Sequence, residues 1–436
     1  MFEPLVWATG LFCVVAFFVA WRAFRDVFHP LILTVPMFAF FYVLMPLYLI
    51  RDGQIFSYVS ESQCTFVQAV LLGGVIAFVL GCFLGSHYGP KPSWKNAPVY
   101  DHKFIQKSGY LLGGIGLAAW MFTVQNAGGI ADVFSRPKGM GWSYYGYVRE
   151  AAYLMIVGLL LLLSPQGYDP KNRRWRIAVA AFATPYMIQG LLGAQRGPTF
   201  LAFATLGLSW YLARRKRPAL VTLLAASAGL GFLMLFLVIN RGAIYIGSDQ
   251  ELKTDVHEFL TANEANEYIF GAGCITAAHQ SGDYFWGRRY LAQIIVRPIP
   301  RQIWPTKYVD FGIPEIEQNA GVAGAGLEAV MGWREVPGAA ATMIPDVWVE
   351  FSWFAFPFLA LVGWGYGYAW RRAVWQGGPW TTLFTIFCLL SVYFISQSGE
   401  AVIFRLVILS VPSLYAWRKA ALPFVPARVP YAAPVR

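Results

Sequence analysis

The stretch CTFVQAVLLGGVIAFVLGCFL, Cys64 to Leu84, contains no charged residue and a single side-chain amide, Gln68. A helix rises 1.5 Å per residue, so a run of this length crosses the roughly 30 Å hydrocarbon core of a bilayer. Its apolar residues fall on every face, which suits lipid and neighbouring spans rather than one side of a soluble domain. The stretch reads as a transmembrane helix, and the composition extends that reading to the whole chain: 57% of the 436 residues are hydrophobic and 13% charged, which excludes an ordinary soluble protein.

Similar runs are predicted near Leu5–Ala20, Leu31–Ile50, Ser108–Val124, Ala151–Ser164, Ile177–Leu192, Phe200–Ala213, Leu220–Ile239, Phe351–Trp370, Trp380–Ile395 and Ala401–Trp417. Together they make an all-α polytopic membrane protein of about eleven spans. Basic residues mark the cytoplasmic side of a span. They concentrate in alternate loops: Arg22 and Arg25; Lys91, Lys95 and Lys103; Lys171, Arg173, Arg174 and Arg176; Arg214, Arg215, Lys216 and Arg217; Arg371 and Arg372; and the tail from Arg418. The other loops hold only Arg51, Arg136, Lys138, Arg149 and Arg196 before the long one. The N terminus is therefore expected outside, the C terminus in the cytoplasm, and residues 240–349 outside.

The expected organisation is a bundle of about eight helices over 1–239, an outer loop over 240–350, about three helices over 351–418, and a Pro-rich cytoplasmic tail, 419–436. Met1–Pro4 lacks the basic start of a cleavable signal, so the first span reads as an anchor. Four of the five cysteines (Cys13, Cys64, Cys82 and Cys388) lie in or beside spans, which leaves Cys274 alone in the loop and no disulfide framework. The net charge of +11 mostly restates the topology. It suits anionic lipid or substrate and does not argue for nucleic acid.

A loop this long is normally functional or has structure of its own. Glu251–Phe270 reads as an amphipathic helix, the following GAGC as a break, and AAHQSGDYFWGRRY as the lead into RRYLAQIIVRPIPRQIWPTK, Arg288–Lys307. That ribbon carries four arginines, a lysine and three prolines without one acid. Pro298, Pro300 and Pro305 place its cations on irregular backbone near the outer interface, where Trp286, Tyr290 and Trp304 would also sit. Guanidinium groups fixed there suit a phosphate or diphosphate. Arg196 in GAQRGPTF and Arg241 in INRGAIY reach the same face from two other helices, each followed by a glycine that allows close approach. The alternative for each is a snorkelling anchor to lipid headgroups.

QRGPT after the sixth span, the late outer loop with IPRQIWPTK, and PDVWVEF entering the next span together resemble the bacterial O-antigen polymerases, or oligosaccharide repeat unit polymerases. The resemblance covers the architecture of nearly the whole chain through short, degenerate motifs. It implies an inverting glycosyltransferase of the C-type membrane fold in the bacterial inner membrane. The donor would be an oligosaccharide on polyprenyl diphosphate, with no cofactor, and a chain-length regulator and a flippase as partners. Arg196 and Arg301 match the motifs most directly; Arg241, Arg289 and Lys307 are further candidates to hold the diphosphate.

The reaction needs a base for the acceptor hydroxyl and cations for the departing diphosphate. His279, Asp346 and Glu350 are the base candidates, against a plain loop histidine and a carboxylate paired with a nearby arginine. Glu328, in GVAGAGLEAVMG, and Trp304 are candidates to contact sugar. HQSGD has no second close His or Cys and DVHEF no second histidine, so no metal is expected. NAGGI, Asn126–Ile130, with the WSYYGY aromatics, reads as an ordinary outer loop with an aromatic belt, the alternative being a segment that closes the acceptor side. A ligase using the same donor, a flippase for it, and a non-enzymatic envelope scaffold remain the rival functions.

Overall fold

A computed structural model describes residues 1–87, 98–136, 146–214, 216–252, 266–313, 327–333 and 339–422. The expected structures at 253–265 (most of the amphipathic helix, with DVHEF), 321–326 and 423–436, together with Lys91, Lys95, Lys138 and Trp142–Tyr145, lie outside the described residues. Within them the chain is an all-helical, multi-span membrane protein. Eight helices are long and apolar enough to cross a bilayer: α1 (Phe2–Phe24), α2 (Pro30–Arg51), α3 (Glu61–His87), α5 (Gly146–Leu163), α8 (Leu220–Leu237, within a helix to Ile239), Met343–Gln376, α15 (Pro379–Ser396) and α16 (Gly399–Ala420). The other three expected spans are also helices, α4 (His102–Asn126), α6 (Arg173–Gly193) and α7 (Arg196–Ala213).

Local chemistry sets the ends and the bends. Asp101, Asn172 and Ser398 occupy N-caps, their side chains accepting from backbone N–H groups one turn in. A π turn at Phe40–Leu44 interrupts α2 between Pro36 and Pro46, where missing N–H donors already disturb the ladder.

Glycines set the closest packing. Gly81 and Gly85 on α3 face Gly363 and Gly367 on α14 (Ala355–Gln376), and a methyl group at any of the four would overlap backbone or side-chain atoms of the opposite helix. Gly158 of α5 meets Gly109 and Gly113 of α4 in the same way. Lipid is as apolar as the helices, so close van der Waals contact between small residues is what joins them.

The outer loop does not stand clear of the bundle. Its helices α9 (Glu267–Ser281) and α13 (Met343–Phe351) bury Tyr268, Ile269, Ala272, Met343, Ile344, Val347 and Trp348 in the same core as α1, α2 and α3. Two expectations are corrected here. GAGC is not a break: α9 runs through it, because Gly271 admits the Ala341 carbonyl and Gly273 the Trp333 ring. Nor do the first ribbon arginines lie on irregular backbone. Arg288–Leu291 form a helical turn, α10, followed by a π turn at Ala292–Val296; the prolines break the helix only after Arg297. α11 (Lys307–Asp310) and α12 (Leu327–Met331) complete the series.

Where chain turns meet, they agree with the alternation of spans. Asp26 joins Arg217 (2.6 Å) and the Trp370 indole (3.0 Å), tying three of the basic turns together. Tyr100 pairs with Ala421 at that same end. The opposite end gathers Met1, Glu61 and the described residues of the loop from Asn240. We call it the outer end, following the orientation that the basic residues predict.

Candidate functional site

The ribbon is held by its own backbone carbonyls. Lys307 is buried, and its Nζ donates to the carbonyl oxygens of Val296 (3.1 Å), Arg297 (3.3 Å) and Ile299 (2.5 Å). The Tyr147 hydroxyl, from the start of α5, reaches the Arg297 and Ile299 carbonyls at 2.8 and 2.9 Å. Burial, with Arg301 and Arg297 close by, pushes the lysine below its ordinary pKa. Lys307, a sequence candidate for the diphosphate, acts in this structure as a clasp. Its three donors are spent on the turn that Pro298 and Pro300 leave without regular bonding.

Arg289, another sequence candidate, is engaged by carboxylates. Its side chain is 1% exposed and pairs with Asp346 (2.8 Å) and with Glu350, while Glu400 lies 3.9 Å away. Burial opposes its charge, but the three carboxylates outweigh that and hold the guanidinium above its usual pKa. No phosphate reaches it in this arrangement. Asp346 also accepts from the Tyr290 hydroxyl (2.6 Å) and the Gly399 N–H (2.8 Å), and Glu350 from the Gly287 N–H (2.8 Å). Both carboxylates are 0% exposed. In this structure both carboxylates bind α10, and Asp346 also the start of α16, to α13.

The cations left for chemistry come from other helices. Arg196 starts α7 and Arg241 follows the end of α8. Neither makes an ion pair within 4 Å among the described residues. Burial lowers the pKa of Arg241 and the nearby charge of Arg196 lowers it further, so the two are neighbours in space. Glu267, at the first position of α9, lies within range of the same Arg196. Burial raises its pKa against the opposing pull of its backbone hydrogen bond and that arginine.

Gly197 abuts the Tyr393 hydroxyl, whose ring lies 4.7 Å from the guanidinium carbon of Arg405. Arg405 donates to the Tyr153 hydroxyl (3.1 Å) and to the Ala401 carbonyl. Arg297 pairs with Glu150 (2.7 Å), stacks over Phe404 (4.2 Å) and donates to Gln293 (2.8 Å). Arg196, Arg241, Arg405 and Arg297 thus border one region at the outer end, framed by tyrosines.

The remaining candidates are placed elsewhere. His279 is exposed near the end of α9 and stacks on Phe66 of α3, ring centroids 4.3 Å apart. Trp304 donates its indole N–H to Asp310 (2.6 Å), which with Thr306 holds that exposed carboxyl below its usual pKa. Arg301 is exposed, 5.9 Å from the Tyr308 ring centroid. Glu328 is exposed on α12. Cys274 is buried within α9 and forms no disulfide among the described residues.

Sequence reading gave no role to Glu150, Glu267, Glu400 or Arg405. Ser398-Gly399-Glu400 carried a signal, an N-cap serine and an acid opening the last span, but that pattern serves ordinary helix starts equally well. Comparison with protein-family models, curated proteins and solved structures finds no match to this chain.

Proposed function

We propose that the chain is a glycosyltransferase that joins polyprenyl-diphosphate-linked oligosaccharide repeat units into a surface polysaccharide at the outer face of the bacterial inner membrane. One observation carries the reading: Arg196 and Arg241 converge from two helices with no carboxylate within ion-pair distance among the described residues. Placing two guanidinium groups within electrostatic range of one another opposes folding. An anion between them reverses the sign, and a diphosphate offers oxygens to both forks.

Arg405, one to two turns inside the last span, extends the positive region to the depth where a polyprenyl tail meets its headgroup. In transfer, these cations stabilise the negative charge that gathers on the departing diphosphate. The tyrosines around Arg405 offer stacking faces and hydroxyls to a sugar. The ribbon, clasped by Lys307 and Tyr147, forms the adjoining wall.

The test is a gel of surface polysaccharide from a strain lacking the gene, complemented with wild type, Arg196→Ala or Arg241→Ala. The expected result is a long-chain ladder with wild type and, with either variant, single repeat units still exported and attached, at unchanged protein level in the membrane. Long chains from both variants would refute the assignment. Loss of every attached unit, with lipid-linked glycan accumulating, would move it to a ligase or a flippase.

A further inference from the structure

We propose that Glu400 is the proton acceptor of this site, an inference that rests on the transferase reading and deepens it. Three carboxylates surround the single guanidinium of Arg289, and they are not equivalent. Asp346 and Glu350 are sealed, their oxygens taken by Arg289, Tyr290, Gly399 and Gly287. Glu400 keeps 15% of its side chain exposed. Its Oε1 accepts from the Gln293 amide at 2.5 Å, while among the described residues Oε2 has the 3.9 Å approach of Arg289 Nη1. A lone pair on Oε2 of this partly exposed side chain therefore remains available.

The groups facing Glu400 come from every element around it. Arg289 is on α10, Gln293 and Arg297 on and just after the π turn, Tyr308 on α11 and Asp346 on α13. Of the three carboxylates around Arg289, Glu400 is the one with side-chain surface exposed. Glu400 opens the same helix that carries Arg405 into the tyrosine-framed region, so acceptor base and diphosphate cations share one wall. The placement also explains why two acids are sealed: they and Arg289 fix the first turn of α16 through the Gly399 N–H.

The transfer balances without a further reactant. The acceptor hydroxyl oxygen bonds to the anomeric carbon of the donor as the anomeric carbon–phosphate oxygen bond breaks. The bonding pair leaves with the diphosphate, and the hydroxyl proton moves to Glu400 Oε2. A positioned base of this kind contributes roughly 100-fold to 10,000-fold in rate.

The experiment uses the full chain in lipid nanodiscs with lipid-linked repeat units extracted from the strain that lacks the gene. Extension is measured against pH, and donor binding separately by co-purification. Glu400→Gln is expected to slow extension by at least about 100-fold, to bind donor within about twofold of wild type, and to lose the acidic limb of the rate profile. Glu400→Asp is expected to keep the limb at an intermediate rate, so a folding defect in the glutamine variant leaves the inference open to refutation. Extension by Glu400→Gln close to the wild-type rate with its acidic limb intact would overturn it, as would a limb lost equally in both variants. Wild type that binds donor without extending it would overturn the polymerase reading, and the role of Glu400 with it.

Discussion

Arg289→Met removes the one cation that holds Asp346 and Glu350 inside the protein. Breaking a buried pair from one side costs about 3–5 kcal/mol, because the remaining charge is left without compensation. Here two carboxylates, both 0% exposed, lose their partner at once. Protonation of one of them relieves part of the cost, so about 4 kcal/mol is a reasonable net figure, roughly a thousandfold in the folded-to-unfolded ratio. Against a total of about 5–15 kcal/mol that loss is large. The assay is thermal unfolding of the detergent-solubilised protein, followed by size-exclusion chromatography of a fluorescent fusion. The variant should melt far below wild type or aggregate. Adding Asp346→Asn and Glu350→Gln should restore much of the loss, since neutral side chains of nearly the same shape no longer need the guanidinium. A single variant within about 1 kcal/mol of wild type would refute the buried arrangement, because only solvated carboxylates could tolerate the change.

Two further outcomes follow from packing and from hydrogen bonding. Gly81→Ala drives a methyl group into the Ala360 carbonyl of α14, whereas Gly114→Ala meets nothing within 4 Å; the first should cost about 1–3 kcal/mol and the second almost nothing, as read by the same melting assay. Lys307→Met leaves the Val296, Arg297 and Ile299 carbonyls without their buried donor, at about 1–3 kcal/mol. Hydrogen–deuterium exchange should rise over 297–307 in this variant, and an unchanged exchange pattern with lost extension would return Lys307 to the diphosphate.

The spans were legible because a bilayer sets one length and one polarity for any helix that crosses it, and runs such as Cys64–Leu84 meet both. Which spans embrace was not legible. Gly81, Gly85, Gly363 and Gly367 form two small-residue repeats, but a glycine four residues from another does not name its partner. Glycine misled at GAGC for a related reason: Gly271 and Gly273 serve close packing against Ala341 and Trp333 within a helix, and sequence alone presents them as breakers. Arg196 and Arg241 could be singled out because basic residues at helix ends need only the span boundaries to be placed. Arg289 could not be read correctly, because Asp346 and Glu350 lie 57 and 61 residues further along the chain. Nothing local distinguishes a guanidinium waiting for phosphate from one already saturated by carboxylates.

The polar groups at depth in the bundle bear on the choice between an enzyme and a carrier. Gln68 donates to Thr9 (2.9 Å) and to the Tyr42 carbonyl (3.1 Å), and it accepts from Tyr268 (2.9 Å). The Tyr42 hydroxyl donates to Thr342 (3.2 Å) and accepts from the Ile344 N–H (3.2 Å). This network is uncharged and internally satisfied, and it pins both α9 and the start of α13 to the first three spans. A carrier that moves an anionic lipid headgroup across the bilayer needs ionisable or hydrated groups near the midplane, on elements that can rock against each other. Here the described cations gather near the ends of spans, and the groups between them lock loop helices to the bundle. A wall fixed by buried carboxylate–guanidinium pairs suits the proposed reaction carried out in place, because preorganised charge stabilises a leaving diphosphate only if it does not have to move with it.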